Sequence, residues 1–146
     1  MAALALALAV YPCRSFADEE DELNEQPAAV QKTAHEQVGA SMITEVEPSF
    51  EEGQHATEVE YTENGNKMAV VIAKDGTLIQ KEHRMSPGDA PEVIKTAVKS
   101  QFAGGKITAI KEVERKDSKF FEVSVHAGGK SHQLTLDSGG KPIKAP

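Results

Sequence analysis

The sequence predicts an α+β fold in which a helix followed by an antiparallel β-meander occurs twice in tandem, with the helices packed on one face of the sheet. Three observations predict it. Sliding the chain by 64 residues lays 27–82 over 91–146 without a gap and gives nine identities, among them Pro27/Pro91, Gln37/Gln101, Glu58/Glu122, Val59/Val123, Gly65/Gly129 and Gly76/Gly140. Apolar residues at helical spacing (Val30, Ala34, Val38; Ile94, Val98, Phe102) open each unit and run into glycine. Alternating segments separated by Glu-Glu-Gly, Asn64-Gly65 and Asp75-Gly76, and later by Gly128-Gly129 and Gly139-Gly140, then read as hairpins.

Taken in order, residues 2–10 form an uninterrupted Ala/Leu/Val run, too short to span a bilayer. It leads into Ser15-Phe16-Ala17, with small residues where a secretory signal is cut, so residues 1–17 read as a signal peptide. Cleavage there removes Cys13 and Arg14. The mature chain then has no cysteine, and its net charge moves from −7 to −8. Residues 18–26, opening with Asp18 to Glu22, read as an acidic flexible tail. The first unit spans 27–84, a linker 85–90 and the second unit 91–146. Asp89 with Glu92 three residues on reads as a capping box, with Pro91 in the first turn. Period-two alternation sends Val59, Tyr61, Val70 and Ile72, and Phe121, Val123, Leu134 and Leu136, towards the core.

Composition narrows the function. A net charge of −7 repels phosphate backbones and anionic lipid, so neither nucleic acid nor, after signal cleavage, a membrane is an expected partner. Two zinc motifs are tempting and both fail on spacing. His35-Glu36 begins a His-Glu-x-x-His pattern, but the fifth position is Gly39, and at the 64-residue offset His35 meets Lys99. His126 and His132 flank a two-residue turn, which points them to opposite sides of the sheet. Nucleophile elbows, P-loops and dinucleotide fingerprints do not occur. The expectation is a protein that is not an enzyme and carries no cofactor or metal.

The stretch "VIKTAVKSQFAGGKITAIKEVERKDSKFFEVSVHAGGKSHQLTLDSGGKPIK" resembles the PepSY domain, and the tandem form is similar to the PepSY-like family allied to beta-lactamase-inhibitor proteins. The resemblance implies a secreted or periplasmic domain whose partner is another secreted or periplasmic protein, a peptidase or other enzyme that it inhibits or regulates. The alternative is a small-ligand or metal-sensing protein of the cell envelope. If helices cover only one face, the other carries Glu58, Glu60, Val71, Phe120 and Glu122. That set is the candidate protein-binding site, an apolar anchor in an acidic rim.

Overall fold

A computed structural model describes residues 16–116 and 118–144. The chain runs α1 (Phe16–Asn24), α2 (Ala28–Val38), β1 (Met42–Glu51), β2 (Gln54–Glu63), β3 (Asn66–Ala73), β4 (Leu78–Met85), α3 (Glu92–Gln101), β5 (Lys106–Arg115), β6 (Ser118–Ala127) and β7 (Lys130–Asp137). All seven strands form one antiparallel sheet in sequence order. This corrects the expected tandem of separate helix-plus-meander units. The joint is β4 with β5, paired from Lys81↔Glu114 to Met85↔Ile110, where the sequence showed only a linker. Pairing between distant edges leaves no local pattern, so sequence spacing could not report it.

The hairpin turns follow from backbone chemistry. Asn64 and Gly65 both take positive φ, 51° and 81°, as a two-residue turn between twisted strands requires. Gly76 and Gly140 serve packing as well. A Cβ on Gly76 would come within 2.8 Å of Ala29 O in α2, and one on Gly140 within 2.9 Å of Val93 O in α3. Both helices therefore sit close upon these turns. The expected capping box is absent: Asp89 lies in a 3-10 turn and accepts the Ser86 hydroxyl at 2.6 Å, while Pro91 is the N-cap of α3.

Two apolar clusters fill the space between helices and sheet. One joins Val30, Ala34 and Val38 of α2 to Val59, Tyr61, Val70 and Ile72; the other joins Ile94 and Val98 of α3 to Phe121, Val123, Val125 and Leu136. The core-facing alternation read from sequence is the one observed.

The expected signal segment lies, through residue 15, outside the described residues. The segment expected as a flexible acidic tail, 18–26, is largely helix. In α1, Leu23 is fully buried in the first cluster, and Glu19 Oε2 accepts the Val46 amide of β1 at 3.2 Å. Charge density argued for disorder, but the apolar anchor Leu23 and the Glu19 bond to the β1 edge are among the ties that hold the helix to the rest of the fold.

Candidate functional site

The helices lie on one face of the sheet, and the register fixes what stands on the other. Glu60, Ala69, Glu82, Val113 and Phe120 succeed one another across β2 to β6 as directly paired positions. Glu58, Val71 and Gln80 form the next rung, and Arg84, Lys111 and Glu122 another. The five expected site residues, Glu58, Glu60, Val71, Phe120 and Glu122, thus do share the helix-free face. Two of them are not available there. Val71 is 0% and Phe120 1% exposed, so the expected aromatic anchor is corrected to a core residue.

The sheet itself covers them by curling. In a flat sheet β1 and β5 would stand four strand spacings apart, roughly 19 Å. Yet Arg115 Nη2 at the end of β5 lies 3.1 Å from Glu51 Oε2 at the end of β1, with Glu52 at 3.8 Å from Nη1. The Arg115 guanidinium sits 5.9 Å from the centre of the Phe120 ring, and its Nε donates to Gln80 Oε1 at 3.0 Å. Ala56, Val71, Ala73 and Ile79 make a small apolar cluster at the closed end of this trough.

Towards the open end the face is ionic. Arg84 bonds Glu60 and reaches Glu58 Oε1 at 2.5 Å, and Lys111 Nζ bridges Glu82 at 2.6 Å and Glu122 at 3.1 Å. Glu82 is 1% exposed; Gln80 donates to its Oε1 at 2.7 Å, whereas its Oε2 has no hydrogen bond and only Arg84 Nε at 3.8 Å. Burial pushes the Glu58 carboxyl up, and the Glu82 charge adds to it against the opposing Arg84 and Lys111. Burial works against the Lys111 ammonium, but its bonds to Glu82 and Glu122 outweigh that and raise it. An open groove of about 450 Å³ follows, lined by Lys67, Arg84, Lys111, Met85 and Ile110 among others.

Sequence reasoning missed the outer part of this face. On β1 and β2, Glu45 stands directly opposite Glu60 and Glu47 directly opposite Glu58. Like charges directly opposed on one face are destabilising. Of these four carboxylates Arg84 bonds the β2 pair, and the Glu45 carboxyl is raised by its hydrogen bond with Glu47, then by burial and by the Glu47, Glu60 and Glu19 charges. A signal was present: the Glu-Glu-Gly turn, folded as a hairpin, brings "TEVE" of β1 against "TEVE" of β2. Charge also divides along the chain. Residues 1–90 hold 6 Lys/Arg against 17 Asp/Glu, net −11, and residues 91–146 hold 10 against 6, net +4.

The histidines are dispersed. His35 is exposed on α2; His132 packs on Phe102 with ring centres 4.5 Å apart, while His126 pairs with Ser131 across the hairpin. Among the described residues no group of three or more His, Cys, Asp or Glu is placed to hold a metal.

The sequence matches no family model and no curated protein. Solved structures do share the fold. A candidate periplasmic protein from Bacteroides eggerthii superposes with a TM-score of 0.67 at 14% identity, over 82% of this chain and 86% of its own. A DUF2874 family protein from Bacteroides uniformis gives 0.66 at 16%, over 81% and 86%. A BLIP-like protein from Bacteroides fragilis gives 0.64 at 18%, over 86% and 89%. The fold is therefore BLIP-like.

Proposed function

We propose that this chain is a non-catalytic protein-binding module of the cell envelope that takes a basic protein surface onto the acidic β1–β2 side of its helix-free face. The observation that carries the reading is the double opposition Glu45↔Glu60 and Glu47↔Glu58. Such pairs cost folding stability, and a cationic partner laid across them turns that repulsion into attraction. Glu122, on the same face, extends the acidic rim. The docking core is therefore ionic, with Phe120 and Val71 holding the floor from beneath. Among the described residues no helix is long and apolar enough to cross a membrane, and the shared fold of a candidate periplasmic protein favours an envelope setting. The PepSY-like resemblance adds the finer role, restraint of a secreted peptidase or other enzyme.

The test is capture from the native envelope fraction on immobilised wild-type chain and on the Glu45→Lys/Glu47→Lys variant. The proposal expects a basic protein retained by wild type, released at about 0.5 M salt, which screens exposed charge, and not retained by the variant. Equal retention by both chains contradicts it. A second reading, binding of a small polar ligand, rests on the neighbouring open groove, lined by Lys67, Ser124 and Gln133 among others. A ligand of that kind raises the melting temperature by mass action without any protein partner.

A further inference from the structure

Along β2, Glu58 and Glu60 stand two residues apart on the helix-free face, and one guanidinium serves both. Arg84 Nη2 lies 2.5 Å from Glu58 Oε1, and its Nη1 bonds Glu60. The arginine fork suits this spacing, with one terminal nitrogen for each carboxylate. The same arrangement recurs on β1. Glu45 and Glu47 are also two residues apart, on the same two rungs, directly opposite Glu60 and Glu58. Among the described residues no cation is paired with either of them. The β1 pair has the spacing without the guanidinium.

The shortage of donors reaches the interior. Glu82 is 1% exposed, and its Oε1 takes bonds from Gln80 and Lys111. Its Oε2 has no hydrogen bond and faces Arg84 Nε across 3.8 Å. A buried acceptor left unpaired costs free energy, and a sound N–H···O bond needs about 2.9 Å. Arg84 does not close that gap while its terminal nitrogens are drawn to Glu58 and Glu60. Of the carboxylates Glu45, Glu47, Glu58, Glu60, Glu82 and Glu122, Arg84 and Lys111 bond the last four. Lys67, beside Arg84 on β3, is exposed and in no ion pair among the described residues.

We propose that the partner of this face presents an arginine whose guanidinium seats across Glu45 and Glu47, as Arg84 seats across Glu58 and Glu60. The seat belongs to the protein-binding face described above and rests on that reading. Opposed residues of paired strands have Cβ atoms about 5 Å apart, so the incoming charge also attracts Glu58 and Glu60 and loosens their hold on Arg84. Arg84 Nε then closes on Glu82 Oε2. Binding at the surface thereby satisfies a buried oxygen that the partner does not touch. A lysine is the poorer occupant, because its compact, strongly hydrated ammonium has no separate nitrogens for two carboxylates along one strand. Where an ammonium does bridge here, that of Lys111, it joins carboxylates of two different strands, Glu82 and Glu122. A metal ion is disfavoured as well, since among the described residues no third His, Cys, Asp or Glu is placed to complete its ligands.

The test uses the full chain labelled with ¹⁵N-arginine, whose arginines are Arg14, Arg84 and Arg115, and the capped peptides Gly-Arg-Gly-Arg-Gly and Gly-Lys-Gly-Lys-Gly. Expected is saturable binding of the arginine peptide, about tenfold tighter than the lysine peptide, the scale of one charge-assisted hydrogen bond. At saturation the Arg84 Nε–Hε signal moves and the Arg115 signal stays. In Glu47→Gln, at an exposed position, the two peptides should bind alike. Equal binding of both peptides to wild type overturns the proposal but leaves a basic partner in place, which retention on the Glu45→Lys/Glu47→Lys variant judges separately. The proposal is overturned too if the Arg84 signal is unmoved at saturation, if Arg115 moves with it, or if neither peptide saturates.

Discussion

The two faces of the sheet are buried by different means. On the helix side, side chains from α2 and α3 interlock with Val, Ile and Phe of the strands, and burial is contributed by elements near in sequence. On the other side no helix intervenes among the described residues, and the strands close over Phe120 and Val71 by curling until Glu51 meets Arg115, 64 residues away. One face is a conventional apolar core. The other depends on a few charges that must all be in place. A face so constructed stays open on its β1–β2 side, where Glu45, Glu47, Glu58 and Glu60 crowd together with Arg84 as the cation bonded to Glu58 and Glu60. The difference teaches that burial and exposure on one face can be divided across the strands, so that one rung holds core on β3 to β6 and a polar surface on β1 and β2.

The comparison breaks most visibly at adjacent phenylalanines. Phe120→Ala and Phe121→Ala remove buried rings from opposite faces, and each should lower stability by about 3–5 kcal/mol in urea denaturation. A loss below about 1 kcal/mol at Phe120 alone would mean that the curled face is not core. Next in size is Arg115→Ala, which uncovers Phe120 and leaves Gln80 and Glu51 without their shared donor. A loss of about 2 kcal/mol or more is expected by the same measurement. If stability is unchanged, the closure does not depend on this guanidinium.

Smaller effects sharpen the contrast at the open end. Glu47→Lys replaces a repulsive cross-strand pair with an attractive one, and should raise stability by about 0.5 kcal/mol. That is the opposite sign from every substitution under the curl. Acidification should act in the same direction. Glu45 and Glu58 have carboxyl groups raised in the folded chain, so the folded state binds protons more readily than the unfolded one. Their favourable contribution is present at low pH and is lost as pH rises through the raised values. Melting temperature should therefore climb as pH falls from 7 towards the upper carboxylate range, and the climb should shrink in Glu47→Gln, which removes the charge that opposes Glu45. Asp75 and Glu92, both lowered, act the other way at lower pH.

Much of the helix-covered face was legible in the sequence, because period-two alternation around Val59, Val70, Val123 and Leu136 is a local signal. The two-residue turns were legible for the same reason. What escaped was non-local. The pairing of β4 with β5 joins two edges that alternation cannot distinguish from solvent. Phe120 read as exposed because its cover, Arg115 with Glu51 and Gln80, is drawn from β1, β4 and β5. The acidic stretch of α1 read as a tail because its tertiary ties, those of Leu23 and Glu19 among them, are masked by charge. At the site, the grouping of Glu58, Glu60 and Glu122 on one face followed from alternation. The opposition of Glu45 and Glu47 to them required folding the β1–β2 turn in register.

The central claim is that the β1–β2 side of the helix-free face holds carboxylates together against their own repulsion. A double-mutant cycle on Glu47→Gln and Glu58→Gln, followed by urea denaturation at low and at high salt, measures that repulsion directly. An unfavourable coupling of about 0.5 kcal/mol that diminishes with added salt is expected. A coupling of zero, or a favourable one, would contradict the account.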